Sequence, residues 1–309
     1  MSLDLTWDLS FEWSTITSIT LPILIGVAYF YRVGRLRELG RQPSLWRQAS
    51  FTVGLAAIVL VTVGPMDDLA DNFVFGHMIQ HTILLEEVSL LLVLGLTGPV
   101  LGPILSKPGL RRLRGLTYPT VAFGLWALVM FGWHAPPAYQ LAAENEVVHL
   151  CEHASFVAAG VLMWLALLGP FPKPEWFGNG AKAIYAGGVH FTSMGLANIM
   201  MWSGTVIYPF YVASDEAHGL SPITDQSLAG VVLMVQSAML MFAILAWLVL
   251  RWARQDTERQ ELLDLAIERG IDLDERRAGR AVAAGRTAEL RDRLLASADG
   301  RTPKPSRAG

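Results

Sequence analysis

Charge is scarce in this chain. Asp, Glu, Lys and Arg together make 17% of 309 residues, where a soluble globular domain carries about 25%. The scarcity is uneven, because the stretch from Arg251 onward holds 24 of those 51 residues. Cysteine is reduced to Cys151, which excludes an intramolecular disulfide framework and any CxxC metal site. No lysine lies inside an apolar run, so a retinal Schiff base is excluded. A GxxxxGK[ST] loop is missing, which argues against nucleotide hydrolysis, and no nucleic-acid partner is expected. Residues 1–13 carry three acids and no base, the reverse of a secretory leader, so no cleavable signal is expected.

What is abundant is apolar length. Hydrophobic residues make 52% of the chain and the mean hydropathy is +0.39. A transmembrane helix needs about 20 consecutive, mostly apolar residues. Seven such runs are expected, near 14–31, 48–65, 75–97, 117–135, 147–169, 183–208 and 226–250. Strand alternation is absent. The expected fold is therefore all-α, a polytopic seven-helix membrane bundle over 1–251 with a charged cytoplasmic tail over 252–309.

Orientation follows from the cations, which concentrate on the cytoplasmic side of membrane proteins. Every Lys and Arg lies between runs 1 and 2, 3 and 4, 5 and 6, or after run 7. The opposite connections hold only acids: Asp67, Asp68, Asp71, Glu144, Glu146, Asp215 and Glu216. The expected topology is N-out, C-in. In the tail, Leu262, Leu263, Leu265 and Ile267, then Leu290, Leu294 and Leu295, suggest two short amphipathic helices broken near Gly270. The end, ADGRTPKPSRAG, reads as disordered.

The histidines carry the chemistry. His77 and His81 form HMIQH at the start of run 3, and His149 and His153 form HLCEH at the start of run 5. Residues i and i+4 share a helix face, so each pair can aim two imidazoles at one point. Two pairs at equal depth offer four nitrogens from rigid elements, a donor set that suits copper, zinc or iron. His134, in WHAPPAY at the end of run 4, sits at the same level as a further candidate ligand. Met78 offers a thioether, which favours Cu(I). Glu152, about 60° round the helix from His149, offers an oxygen, whereas Cys151 points away. Asp225 opens run 7 at the same level, as a ligand or as an N-cap.

Glu86 and Glu87 lie mid-run in TILLEEVSLLL. A charge at the bilayer centre costs roughly 2.5–3.5 kcal/mol, so at least one is expected to be protonated, or paired with His190 or a bound cation. At 100° per residue Glu87 falls below the histidine pair and Glu86 lies nearly opposite His77.

Together these pieces resemble the CtaG family of cytochrome c oxidase assembly factors. The ordered set is His77-Met78-x-x-His81 before LLLVLG at 90–95, Trp133-His134-x-Pro136 with Tyr139, and His149-x-x-x-His153 with Trp164. Tyr208 and Tyr211 before Asp225-Gln226-x-x-Ala229-Gly230 complete it. The set covers about residues 70–250. Glu86-Glu87 and Ser89 depart from the family pattern. The resemblance implies a multi-pass protein of the bacterial plasma membrane that helps mature the copper-containing oxidase. It also implies copper handling, non-enzymatic action, and oxidase subunits or other copper chaperones as partners. The alternative is a membrane metalloenzyme or a haem protein built on the two HxxxH pairs. The chain has no HxxHH cluster of the desaturase kind.

Overall fold

A computed structural model describes residues 13–107 and 112–298. Residues 1–12 and 299–309, on which the reading of an uncleaved start and most of the disordered end fall, lie outside the described residues. The described residues are helical, with no strand among them. The helices are α1 Trp13–Glu38, α2 Leu45–Thr62, α3 Pro65–Asn72, α4 Val74–Gly95, α5 Gly98–Ser106, α6 Pro119–His134 and α7 Pro136–Glu144. They continue as α8 Glu146–Leu168, α9 Asn179–Trp202, α10 Val212–Ala217, α11 Pro222–Glu268, α12 Glu275–Ala283 and α13 Thr287–Ala298.

Five of these are long and apolar enough to cross a membrane: α1, α2, α4, α8 and α11. A sixth crossing is available if α6 and α7 count as one span bent by 71°. The expected run 117–135 stops at His134 for a local reason. Ala135 precedes two prolines and takes an extended backbone, φ −65° and ψ 129°, the conformation a residue before proline prefers. Pro136 then opens α7 at a position where a missing N–H costs nothing. α9 has 24 residues but carries Lys182, His190 and Asn198, and no 18-residue stretch of it is as apolar as those of the five.

α4 is interrupted by a π-helical segment, Ile83–Val88. Such bulges widen the backbone ring and leave carbonyls without their usual partners. Here neighbours take them. Ser89 Oγ donates to the Leu84 carbonyl at 2.9 Å and approaches the Val157 carbonyl at 3.1 Å. Trp164 Nε1 donates to the Glu86 carbonyl at 2.9 Å. α8 comes close enough for this because residue 160 is glycine; a Cβ there would stand 2.0 Å from the Leu85 carbonyl oxygen. Ser89, which departs from the family pattern, thus has a structural role.

The apolar core between α1, α2 and α4 includes Tyr29, Val33, Leu36, Phe51, Leu55, Leu84, Val88 and Leu92. The Tyr29 and Phe51 rings stack at 3.9 Å.

The chain divides into two compact units, 1–242 and 243–309. Within the second, α11 runs on to Glu268 and the chain reverses at Gly270, where φ is +64°. The leucines expected to form a separate first tail helix are therefore the last turns of α11. Leu262, Ala266, Val282, Leu290 and Leu294 make a small core of their own. Arg259 bridges Asp256 and Glu275, and Arg291 pairs with Glu261.

Candidate metal centre

The two HxxxH pairs converge. His77 and His81 on α4, with His149 and His153 on α8, each offer a ligand atom, and these atoms all lie within 4.8 Å of one another. His77 Nε2 and His81 Nε2 are 2.6 Å apart. The i, i+4 spacing places each pair on one face, and α4 and α8 turn those faces toward each other.

Burial makes the arrangement consequential. His77, His81 and His153 are 3%, 2% and 8% exposed. Buried polar atoms are nearly always hydrogen-bonded, yet His81 Nδ1, His149 Nε2 and His153 Nε2 have no partner. Both carboxylate oxygens of Glu152 are also orphaned. They lie 3.6 Å from His81 Nε2 and 3.9 Å from His77 Nε2. Four imidazoles and a carboxylate drawn together, with His149 Nε2, His153 Nε2 and both Glu152 oxygens unbonded and His77 Nε2 and His81 Nε2 meeting only each other, are the donor set a cation ligated by imidazole requires. The donor set fits a copper or zinc ion on this observation.

Around the cluster, hydroxyl groups fix the rings. Tyr211 Oη lies 2.9 Å from His77 Nδ1 and accepts from Tyr139 Oη at 3.2 Å. A His77 Nδ1–H donating to Tyr211 leaves the Nε2 lone pair for a metal, the usual outer-shell device for orienting a histidine ligand. Tyr208 Oη donates to the His134 carbonyl at 3.0 Å. Burial raises the hydroxyl pKa values of Tyr208 and Tyr211 above the ordinary phenol range, so both remain neutral hydroxyls. Tyr211 is the site residue that histidine spacing alone does not reveal. Its only signal in the sequence is its place in the family-like set.

His134 and Met78 stand beside the four rings rather than among them. His134 Nδ1 bonds the Met130 carbonyl at 2.7 Å, which turns Nε2 toward the Met78 sulfur at 3.1 Å. The His134 and His81 ring centroids are 5.8 Å apart. Asp225 is not brought to the histidines. Its two oxygens accept from the backbone N–H groups of Val74 and Phe75, at 2.6 and 2.9 Å. It caps α4, so it fixes the helix that carries His77 rather than facing the cluster. This is an N-cap role, played for a different helix from its own. His218 bonds the Ser214 carbonyl at 2.8 Å, away from the cluster. Cys151 is exposed.

The acids deeper in α4 take other partners. The π-helical segment adds residues to the turn, so a count at 100° per residue loses its phase beyond Ile83. Glu86 is 1% exposed, with its carboxyl beside the Ser237 hydroxyl and no formed hydrogen bond. Glu87 accepts from Gln236 Nε2 at 2.9 Å, and Gln236 Oε1 accepts from Thr82 at 2.6 Å. The Glu87 partner is therefore glutamine, while His190 faces Ser237 at 3.5 Å.

A model of the family described as cytochrome c oxidase caa3 assembly factor (Caa3_CtaG) matches residues 27–255. Among curated proteins, the chain is similar to an uncharacterized protein, Mb0105, of Mycobacterium bovis. It is 25% identical over 260 residues, covering 76% of this chain and 38% of that protein. An uncharacterized protein of Mycobacterium tuberculosis, MT0111, matches with the same identity and coverage. The chain thus spans well under half the length of these relatives. No solved structure matches.

Proposed function

Because the chain belongs to the cytochrome c oxidase caa3 assembly factor (Caa3_CtaG) family, we propose that it handles copper during oxidase maturation, holding the ion between α4 and α8. The single observation behind this reading is the convergence of four histidines from two apolar helices onto one point. Copper is cargo here, passed to oxidase subunits or to other copper chaperones, and the protein acts without catalysing a reaction. Imidazole alone accommodates zinc equally well. The Met78 sulfur beside His134 and the family role favour copper.

His77, His81, His149 and His153 form the primary ligand set, with Glu152 balancing charge behind them and His134 and Met78 as a second nitrogen–sulfur pair to which the ion can pass. Rigid helices hold the two pairs close together, and the His77 and His81 rings, whose Nε2 atoms lie 2.6 Å apart, part to take the ion. The Tyr211–His77 contact fixes one ring. The protein sits in the bacterial plasma membrane with seven spans, N-out and C-in. The bent α6–α7 pair and α9 complete the count, since 24 residues at 1.5 Å reach about 36 Å against a hydrocarbon core of about 30 Å. The segregation of every Lys and Arg supports the orientation.

The test is elemental analysis of protein purified without added metal, as wild type and as His77→Ala/His81→Ala. The same two forms are assayed for oxidase activity in a complemented strain. Copper should be present in the wild type and absent from the variant, with oxidase immature. A variant that retains full copper moves the site elsewhere. A variant that loses copper while the oxidase matures normally removes the assembly role from the site.

A further inference from the structure

A polar cavity of about 370 Å³ opens beside the histidines. Its wall includes Asp67 and Asp71 from α3, Glu144 and Glu146 where α7 meets α8, and His149 and His153. Asp71, Glu144 and Glu146 are exposed and Asp67 is half-buried, so the acids crowd the mouth. At the inner end stands His153, 8% exposed, with its Nε2 unpartnered. His149 Nε2 is unpartnered too. His77 and His81 lie behind them, more deeply buried.

The surroundings reinforce the sign of this cavity. The segments at this end, 65–72, 135–146 and 203–221, contain no Lys or Arg. The N-terminus of α8, a feature that ordinarily attracts anions, is already satisfied. Asn145 Oδ1 accepts from the N–H groups of Val147 and Val148, both at 3.1 Å. Glu146 adds a carboxylate to the first helical turn. A cleft lined by one sign of charge, with low-dielectric walls, focuses the field and raises the local concentration of counter-ions, accelerating their capture by 10–10³.

We propose that this cavity is the entrance to the histidine cluster, admitting a weakly liganded, net-positive metal ion and holding back anionic metal complexes. The proposal rests on the reading of the four histidines as a metal site. Carboxylates at the mouth draw the cation in, exchange readily with its bound water, and pass it to His149 and His153. Those two ring nitrogens are the first reached, and His77 and His81 complete the set from behind. Metal held in an anionic chelate meets the same carboxylates as a barrier.

The opposite sign expected for the two forms of metal makes the test specific. The full chain, reconstituted in lipid nanodiscs, is mixed with Cu2+ as the weakly liganded ion or with Cu+ as its anionic bicinchoninate complex. Loading is followed by stopped-flow, and final copper content by elemental analysis. The variant changes the three exposed acids, Asp71→Asn/Glu144→Gln/Glu146→Gln, and leaves half-buried Asp67, which accepts from the buried Gln80 at 2.9 Å, intact. Neutralisation should slow Cu2+ loading about tenfold at low salt, by the focusing argument. The difference should shrink at high salt, capture from the anionic complex should become faster, and the final copper content should be unchanged. Cu2+ loading at the wild-type rate with full copper content overturns the entrance while leaving the histidine site standing. Equal slowing of both copper forms also overturns it, because damage to the fold is blind to the sign of the incoming complex. A wild-type protein that takes up no copper overturns both readings.

Discussion

α4 carries two polar clusters less than three turns apart, and they meet the cost of burial differently. At His77 and His81 the side chains converge with His149, His153 and Glu152, and His81 Nδ1, His149 Nε2, His153 Nε2 and both Glu152 oxygens remain unbonded. At Glu86 and Glu87 the polar groups lie side by side along the helix, and much of what they offer is already bonded. Gln236 serves Glu87, Ser89 and Trp164 serve the carbonyls of the π-helical segment, and only the Glu86 carboxyl is left unbonded beside Ser237. A buried polar group left without a partner costs about 1–3 kcal/mol. A cluster of several is stable only if something else supplies the bonds. The upper cluster therefore reads as a place for a ligand and the lower one mainly as internal architecture.

The sharpest way to break this contrast is to disable each level in turn. His77→Ala/His81→Ala should lose all bound copper, whereas Glu86→Gln/Glu87→Gln should keep it. Copper content that depends on the glutamates equally would merge the two levels into one site.

The architecture of the lower level predicts a large effect on stability alone. Gly160→Ala forces a methyl group against the Leu85 carbonyl. Overpacking of this kind costs about 1–3 kcal/mol, read as a lower melting temperature in detergent. Gly187→Ala, where a Cβ meets nothing within 4 Å, should be neutral or gain up to about 1 kcal/mol from helix propensity. Equal behaviour of the two variants would show that α8 does not depend on its approach to the π-helical segment.

At the upper level, Tyr211→Phe keeps the ring but removes the hydroxyl bonded to His77. Loss of an outer-shell partner lowers metal affinity about 10–100-fold, so titration should show weaker binding at unchanged stoichiometry. Lost stoichiometry would make Tyr211 a ligand instead.

The smallest effect concerns Asp215, on α10. It is 1% exposed. Burial, and then the neighbouring Asp225, raise its pKa from 3.8 to about 7. A group whose folded pKa is raised in this way favours the folded state when protonated. Its contribution is full below about pH 4 and declines as pH rises toward 7. The melting temperature of the wild type should therefore fall between pH 5 and 7.5. Asp215→Asn, which stays neutral and can still donate to Asp225, should flatten that fall. An unchanged slope would place the proton elsewhere.

The sequence by itself determined that this is a helical membrane protein of its family. It also made the two HxxxH pairs legible, because charge segregation, apolar run length and i, i+4 spacing are local properties that neighbours seldom override. It foresaw that α6 ends near His134, since Pro136-Pro137 act on the residue before them. Only the tertiary structure decided which pairs meet. The convergence of α4 on α8 depends on Gly160 and on a π-helical segment that no residue pattern announces, and that segment also rephased Glu86 and Glu87. Asp225 illustrates the same limit. An acid at a helix start signals a cap, but its two oxygens close the N-terminus of α4, about 150 residues earlier in the chain. Tyr211 likewise acquires its place against His77 only through packing. Partners distant in sequence are chosen by how helices approach, and that is set by the fit of whole surfaces rather than by any short stretch of residues.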